Sequence, residues 1–131
     1  MEKQLKVLII DDDIDFVNAT RTVLESKDYQ IIVAYNGDEG LQKARGEKPD
    51  LIILDIIMPI KDGFTVAEQI KKDSELSKIP VLILTSFGAR KGETSIAVSE
   101  GMKLQTEDYI EKPAAPEELL KAAERLLKKI S

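Results

Sequence analysis

The chain has 131 residues, of which 43% are apolar and 33% charged, and a net charge of −5. That length suits one domain with a sizeable core, the composition is that of a soluble globular protein, and the acidic balance argues against general nucleic-acid binding. Cysteine and histidine are both absent, which excludes disulfides, thiol chemistry and any histidine ligand or base of the chain's own.

The first predicted strand covers residues 5–10 and runs into Asp11-Asp12-Asp13-Ile14-Asp15, the densest acidic cluster of the chain. A helix follows over roughly 14–26, with Val17, Thr20, Val23 and Leu24 on one face. Asp12 or Asp13 can cap it, and the other acids suit its positive end. The cluster superficially resembles a calcium loop, but Phe16 stands where the turn glycine belongs and Thr22 where the bidentate glutamate belongs. Residues 29–34 read as a second strand. Asn36 then opens a helix, with Glu39 placed for a capping box, Leu41 and Ala44 inward, and Gly46 as its stop.

The third strand is the apolar run Leu51-Ile52-Ile53-Leu54, ending in Asp55. Such a run suits a strand buried on both faces of a parallel sheet. A carboxylate at its end is either a surface terminus or a working group in a mouth of the sheet, and the second reading is preferred. Lys61-Asp62-Gly63 is a turn or helix start, and Phe64, Val66, Ala67 and Ile70 mark the next helix. Residues 79–85 form a fourth strand ending in Thr85. A weaker helical signal covers 93–100, interrupted around by Gly88, Gly92 and Gly101. Residues 109–113 read as a short fifth strand. Pro116 opens the last helix, whose buried stripe is Leu119, Leu120, Ala123, Leu126, Leu127 and Ile130.

Five strand-then-helix units with short connections imply one α/β domain over 1–131, a doubly wound parallel sheet with helices on both faces. In open sheets of this class the site lies at the carboxyl ends of the strands, where strand order reverses. That edge collects Asp11, Asp12, Asp55, Thr85 and Lys112. Converging carboxylates cannot all stay ionised at close range without a cation. Mg²⁺ suits them, because it prefers one or two carboxylates with waters and phosphate oxygens. Asp55 is then the natural nucleophile for an aspartyl-phosphate, the metal and Lys112 would neutralise the phosphoryl charge, and the Thr85 hydroxyl would donate to a phosphoryl oxygen.

Four motifs carry a family resemblance: the apolar strand with Asp11-Asp12; Leu54-Asp55-Ile56-Ile57-Met58-Pro59 with Asp62-Gly63; Leu84-Thr85-Ser86; and Tyr109-Ile110-Glu111-Lys112-Pro113. Each is weak alone, but in order and at strand ends they are specific. The chain resembles the receiver domains of two-component response regulators over essentially its whole length. The resemblance implies a five-stranded sheet of order 2-1-3-4-5, as in the flavodoxin-like folds. It implies Asp55 as phosphoacceptor, with Mg²⁺ held by Asp12, by Asp11 through water, by Asp55, and by the Ile57 backbone carbonyl. Thr85 and Tyr109 would be the switch pair, Lys112 the phosphoryl contact, and the Lys112-Pro113 bond cis.

The implied function is a cytoplasmic signalling switch, not an enzyme acting on a separate substrate. A histidine kinase or histidine phosphotransfer protein would phosphorylate Asp55, changing the surface of the fourth helix, fifth strand and fifth helix for a downstream protein or an output domain outside this chain. No direct nucleic-acid or membrane contact is expected. Residues 102–108 make the connection from Gly101 to Tyr109 longer than is usual in the family. Ile57 is apolar where many relatives are polar, which predicts slow loss of the phosphoryl group; release within seconds from purified protein would refute that. The alternative is a Mg²⁺-dependent phosphohydrolase using Asp13 as nucleophile, which would leave Asp55 idle. A third reading is an interaction module that is not phosphorylated, against which the intact acidic set argues.

Overall fold

A computed structural model describes residues 4–55, 63–85, 108–111 and 115–128. In chain order the elements are β1 (Lys6–Ile10), α1 (Ile14–Glu25), β2 (Gln30–Ala34), α2 (Gly37–Glu47), β3 (Leu51–Asp55) and α3 (Gly63–Lys72). A 3-10 turn (Leu76–Lys78), β4 (Val81–Thr85), β5 (Asp108–Glu111) and a C-terminal helix (Pro116–Lys128) complete them. The helix expected over 93–100, the geometry at Lys112-Pro113 and the side chain of Ile130 lie outside the described residues.

The strands form one parallel sheet in the order β2-β1-β3-β4-β5. This is the doubly wound, flavodoxin-like order that the resemblance implied. Successive side chains of a strand point to opposite faces, so odd and even positions build two separate cores. Val7, Ile9, Leu51 and Ile53 pack with Val17 and Leu24 of α1 and with Leu119, Ala123 and Leu126 of the C-terminal helix. Leu8, Ile10, Ile52 and Leu54 pack with Leu41 and Ala44 of α2 and with Val66 and Ile70 of α3. Because β3 lies between β1 and β4 and is covered on both faces, Leu51 to Leu54 are fully buried. Full burial stabilises by about 1.5–3 kcal/mol per aliphatic side chain. The continuous apolar run is thus a consequence of central position.

Helix termini follow local chemistry. Asp13, not Asp12, caps α1: its Oδ1 accepts the Phe16 N–H at 3.1 Å. Asn36 caps α2 by accepting the Glu39 N–H at 2.9 Å, and Glu39 Oε1 accepts the Tyr35 N–H at 2.7 Å. The reciprocal pattern expected of Asn36 and Glu39 is present, with the return bond made one residue before the cap. Gly46 does not stop α2. The helix runs to Glu47, and Lys48 closes it in the left-handed conformation (φ 49°), its N–H donating to Ala44 O. Gly46 accepts a helical conformation as readily as a left-handed one, so its presence did not fix the stop.

Glycine is required at a different position. A Cβ on Gly40 would sit 2.6, 2.8 and 3.0 Å from Cδ1, Cγ1 and Cγ2 of Ile10. The absent side chain lets α2 rest on β1 immediately before Asp11. Gly40→Ala is expected to lose about 1–2 kcal/mol, overpacking outweighing the better helix propensity of alanine. Urea unfolding of Gly40→Ala, Ile10→Ala and the double variant checks this. The double variant should lose less than the sum of the two single losses.

Glu39 also gives the fold a pH dependence. Its carboxyl is held below the ordinary 4.5, first by the Tyr35 N–H and then by the Lys43 ammonium, against some opposing desolvation. A lowered folded pKa contributes stability that is fully present above the unfolded value and is lost as pH falls through the folded one. Acid titration of the thermal midpoint should therefore show a decline below about pH 4.5 that is shallower in Glu39→Gln.

Candidate phosphoacceptor and metal site

The topology brings the acids together. The chain runs from β1 outward to β2, then back across β1 to β3, so strand order reverses between β1 and β3. Ile10 is in register with Leu54, which sets the next residues, Asp11 and Asp55, side by side at the carboxyl ends of neighbouring strands. Asp11 is anchored at both ends. Its N–H donates to Ala34 O at 3.0 Å, extending the ladder to β2, and its Oδ1 accepts the Asp13 N–H at 2.9 Å. That second bond shapes the turn into α1 and presents Asp12 to solvent.

Asp11 is fully buried, Asp55 is 3% exposed and Asp12 is exposed. One carboxylate oxygen from each lies within 4.8 Å of the others. Two ionised carboxylates at that separation repel by at least about 3 kcal/mol at an effective dielectric of ~20. A small divalent cation reverses the sign of that interaction, and oxygen-only donors match a hard ion such as Mg²⁺. Two buried donors and one open to water also leave room for the waters that Mg²⁺ retains. The residues present therefore fit the ion. The adjacent start of α1 adds a positive dipole, which favours negative charge at this edge.

Thr85 is the last residue of β4, one position beyond the Asp55–Leu84 register pair, so its backbone reaches the same edge. Tyr109 pairs with Ile83, two residues below Thr85, and Glu111 pairs with Thr85. Lys112 follows directly on Glu111. The side chains of Thr85 and Tyr109, and all of Ile57 and Lys112, lie outside the described residues. Sequence reasoning gave no role to Ile14. It opens α1 with 59% exposure beside the acidic cluster, and Tyr35 is 40% exposed after β2 on the same edge. Its phase gave no signal, since Ile14 is spaced three and ten residues from Val17 and Leu24 as a buried residue would be; the available signal was its place between Asp13 and Asp15 in the first turn.

This fold and this acidic edge define a class. The chain belongs to the response regulator receiver domain family, whose profile matches residues 7–124. It is a receiver domain of the kind whose signalling is switched by phosphorylation. Protein PilH of Pseudomonas aeruginosa is 37% identical over 122 residues, covering 93% of this chain and 97% of that protein. The alkaline phosphatase synthesis regulator PhoP of Bacillus subtilis is 36% identical over 124 residues, covering 95% of this chain but 49% of PhoP. The chain likewise spans 44% of a probable transcriptional regulator, ycf27, of Guillardia theta. Among solved structures, the CheY-like receiver domain protein of Methanospirillum hungatei superposes with a TM-score of 0.85 at 26% identity, covering 97% of this chain and 96% of that one. The chemotaxis protein CheY4 of Vibrio cholerae gives 0.83 at 31% identity, covering 95% and 99%. Among the described residues, no helix is long and apolar enough to cross a membrane.

Proposed function

We propose that Asp55 is the residue that accepts the phosphoryl group, donated by the phosphohistidine of a histidine kinase or histidine phosphotransfer protein. The observation that carries this is the meeting of Asp11, Asp12 and Asp55 within 4.8 Å at the strand-order switch, two of the three buried. An Asp55 carboxylate oxygen forms the new P–O bond as the P–N bond of the donor breaks, and the leaving imidazole keeps the electron pair. The chain supplies no histidine, so the donor must. Asp11, Asp12, Asp55 and the Ile57 carbonyl would hold Mg²⁺, which when bound neutralises charge on the transferred group. Lys112 would do the same from the end of β5, with Thr85 donating to a phosphoryl oxygen. Thr85 and Tyr109 would then relay the event to the face around β5 and the C-terminal helix, by shifting the population of conformers there.

Residues 1–131 are taken as one receiver domain, cytoplasmic, acting on a downstream protein or on an output domain joined to it. The near-complete coverage of PilH supports the first arrangement and the half coverage of PhoP, a transcriptional regulatory protein, supports the second. Exposed Ile14 and Tyr35 offer a donor protein apolar contact at the mouth of the site. Nothing in the geometry favours the phosphohydrolase alternative, because Asp13 is engaged as the α1 cap. The test is incubation with Mg²⁺ and acetyl phosphate, followed by intact mass. One phosphoryl adduct per chain is expected. Multiple turnover of phosphate esters that depends on Asp13 would overturn the reading.

A further inference from the structure

β2 is an edge strand of the sheet. Its inward-facing groups are those bonded to β1: the Gln30 N–H donates to Leu5 O at 2.9 Å, and Ala34 O accepts the Asp11 N–H at 3.0 Å. Alternation along a strand then turns the N–H and C=O of Ile31 and Val33 outward, together with the N–H of Tyr35. An exposed row of this kind is a template for another strand.

Here the upper half of the row is covered by α2. The Lys43 ammonium donates to Val33 O, and Glu39 Oε1 accepts the Tyr35 N–H at 2.7 Å. The two side chains also pair with each other, Nζ to Oε2 at 3.4 Å, one helical turn apart. One ion pair thus caps an outward acceptor and an outward donor of the same strand, as a sixth strand would. Ile32 and Val33 are partly exposed apolar residues with high strand propensity.

We propose that the Glu39–Lys43 pair is a guard on the β2 edge, and that removing the Lys43 ammonium opens this edge to a second copy of the chain. The occupant follows from the strand's own symmetry. Antiparallel pairing about Ile32 sets Ile31 opposite Val33 of the second copy and Val33 opposite Ile31 of the second copy. Each pair exchanges both N–H and C=O bonds, so the interface is two-fold and closed. Lys43 blocks that arrangement directly, because it occupies the Val33 carbonyl that pairing needs. This interface lies on the opposite side of the sheet from β5, so it is separate from the phosphorylation readout.

The test compares wild type, Lys43→Ala and Lys43→Arg by size-exclusion chromatography with light scattering over a rising concentration series, with amide hydrogen exchange. Lys43 is 39% exposed, so the substitutions leave the core intact. Lys43→Ala should double its mass relative to wild type and slow exchange at the Ile31 and Val33 amides. Lys43→Arg, which keeps a cationic donor, should match wild type. Adding Val33→Pro to Lys43→Ala should restore the wild-type mass, because proline removes an outward donor while the β1 ladder keeps its bonds. If that variant does not fold, the exchange footprint on Lys43→Ala decides alone. A Lys43→Ala chain with wild-type mass, or one that associates without protecting Ile31 and Val33, overturns the proposal.

Discussion

Asp55→Asn removes the phosphoryl adduct that the wild-type chain gains from acetyl phosphate and Mg²⁺. The expected loss is complete, because the substitution replaces the attacking oxygen by a neutral amide of nearly the same shape. Size is conserved at a site that is 3% exposed, and the ladder from β3 to β4 does not involve the side chain. The variant should therefore fold with the same far-ultraviolet spectrum, separating chemistry from structure. Two further variants grade the neighbours. Lys112→Ala keeps the nucleophile but removes the cation proposed to offset the developing charge, and loss of such a donor costs on the order of 10²–10³ in rate. Asp12→Asn keeps Asp55 and weakens the metal donor set, so its rate should recover partly as Mg²⁺ is raised. An adduct that persists in Asp55→Asn, mapped by peptide mass to Asp13 or elsewhere, would sink the assignment.

What could be read from sequence was what local pattern and burial decide. The run from Leu51 to Leu54 announces a strand covered on both faces, because a central parallel strand buries consecutive side chains on either side of the sheet. The inward stripes of α1 and the C-terminal helix were legible for the same reason, each repeating with the helix period. Asp11 and Asp55 are 44 positions apart in the chain, and only the parallel pairing of β1 with β3 makes them neighbours. Their common position at strand ends hinted at it. Choices between adjacent residues were not legible. Asp12 and Asp13 are chemically the same cap, and the Asp11 side chain settles the matter by binding the Asp13 N–H and turning the chain. Lys48 ends α2 although a glycine stands two residues earlier, since the left-handed closure falls where the Ala44 carbonyl needs a partner. The bond of Lys43 to Val33 was invisible for a third reason. It depends on α2 crossing the sheet edge, a relation between elements that no periodicity contains.

Mg²⁺ is expected to stabilise the folded chain through the same three carboxylates, and the order of stability between wild type and a charge-deleted variant should invert as the ion is added. A ligand that binds only the native state adds RT ln(1 + [L]/Kd), or about 2.7 kcal/mol at one hundred times Kd. For a domain of this size each kcal/mol moves the thermal midpoint by roughly 3–5 °C, so saturation should raise it by on the order of 10 °C. Without the ion, Asp11 and Asp55 set two carboxyl groups within 4.8 Å in a buried setting, and folding bears either their repulsion or the cost of protonating one of them. Asp55→Asn relieves it while keeping side-chain volume. In metal-free buffer the variant should melt above wild type. On titration with Mg²⁺ the wild-type midpoint should climb past it, because the variant has lost a donor to the ion. Scanning calorimetry at constant ionic strength, with NaCl in place of MgCl₂ as the control, reads both effects. Parallel curves for the two proteins, or a wild-type midpoint unmoved by Mg²⁺, would mean that the cluster is not a cation site. Crossing curves would tie the instability of the empty site to its affinity for the ion, both arising from the same crowding of negative charge at the ends of β1 and β3.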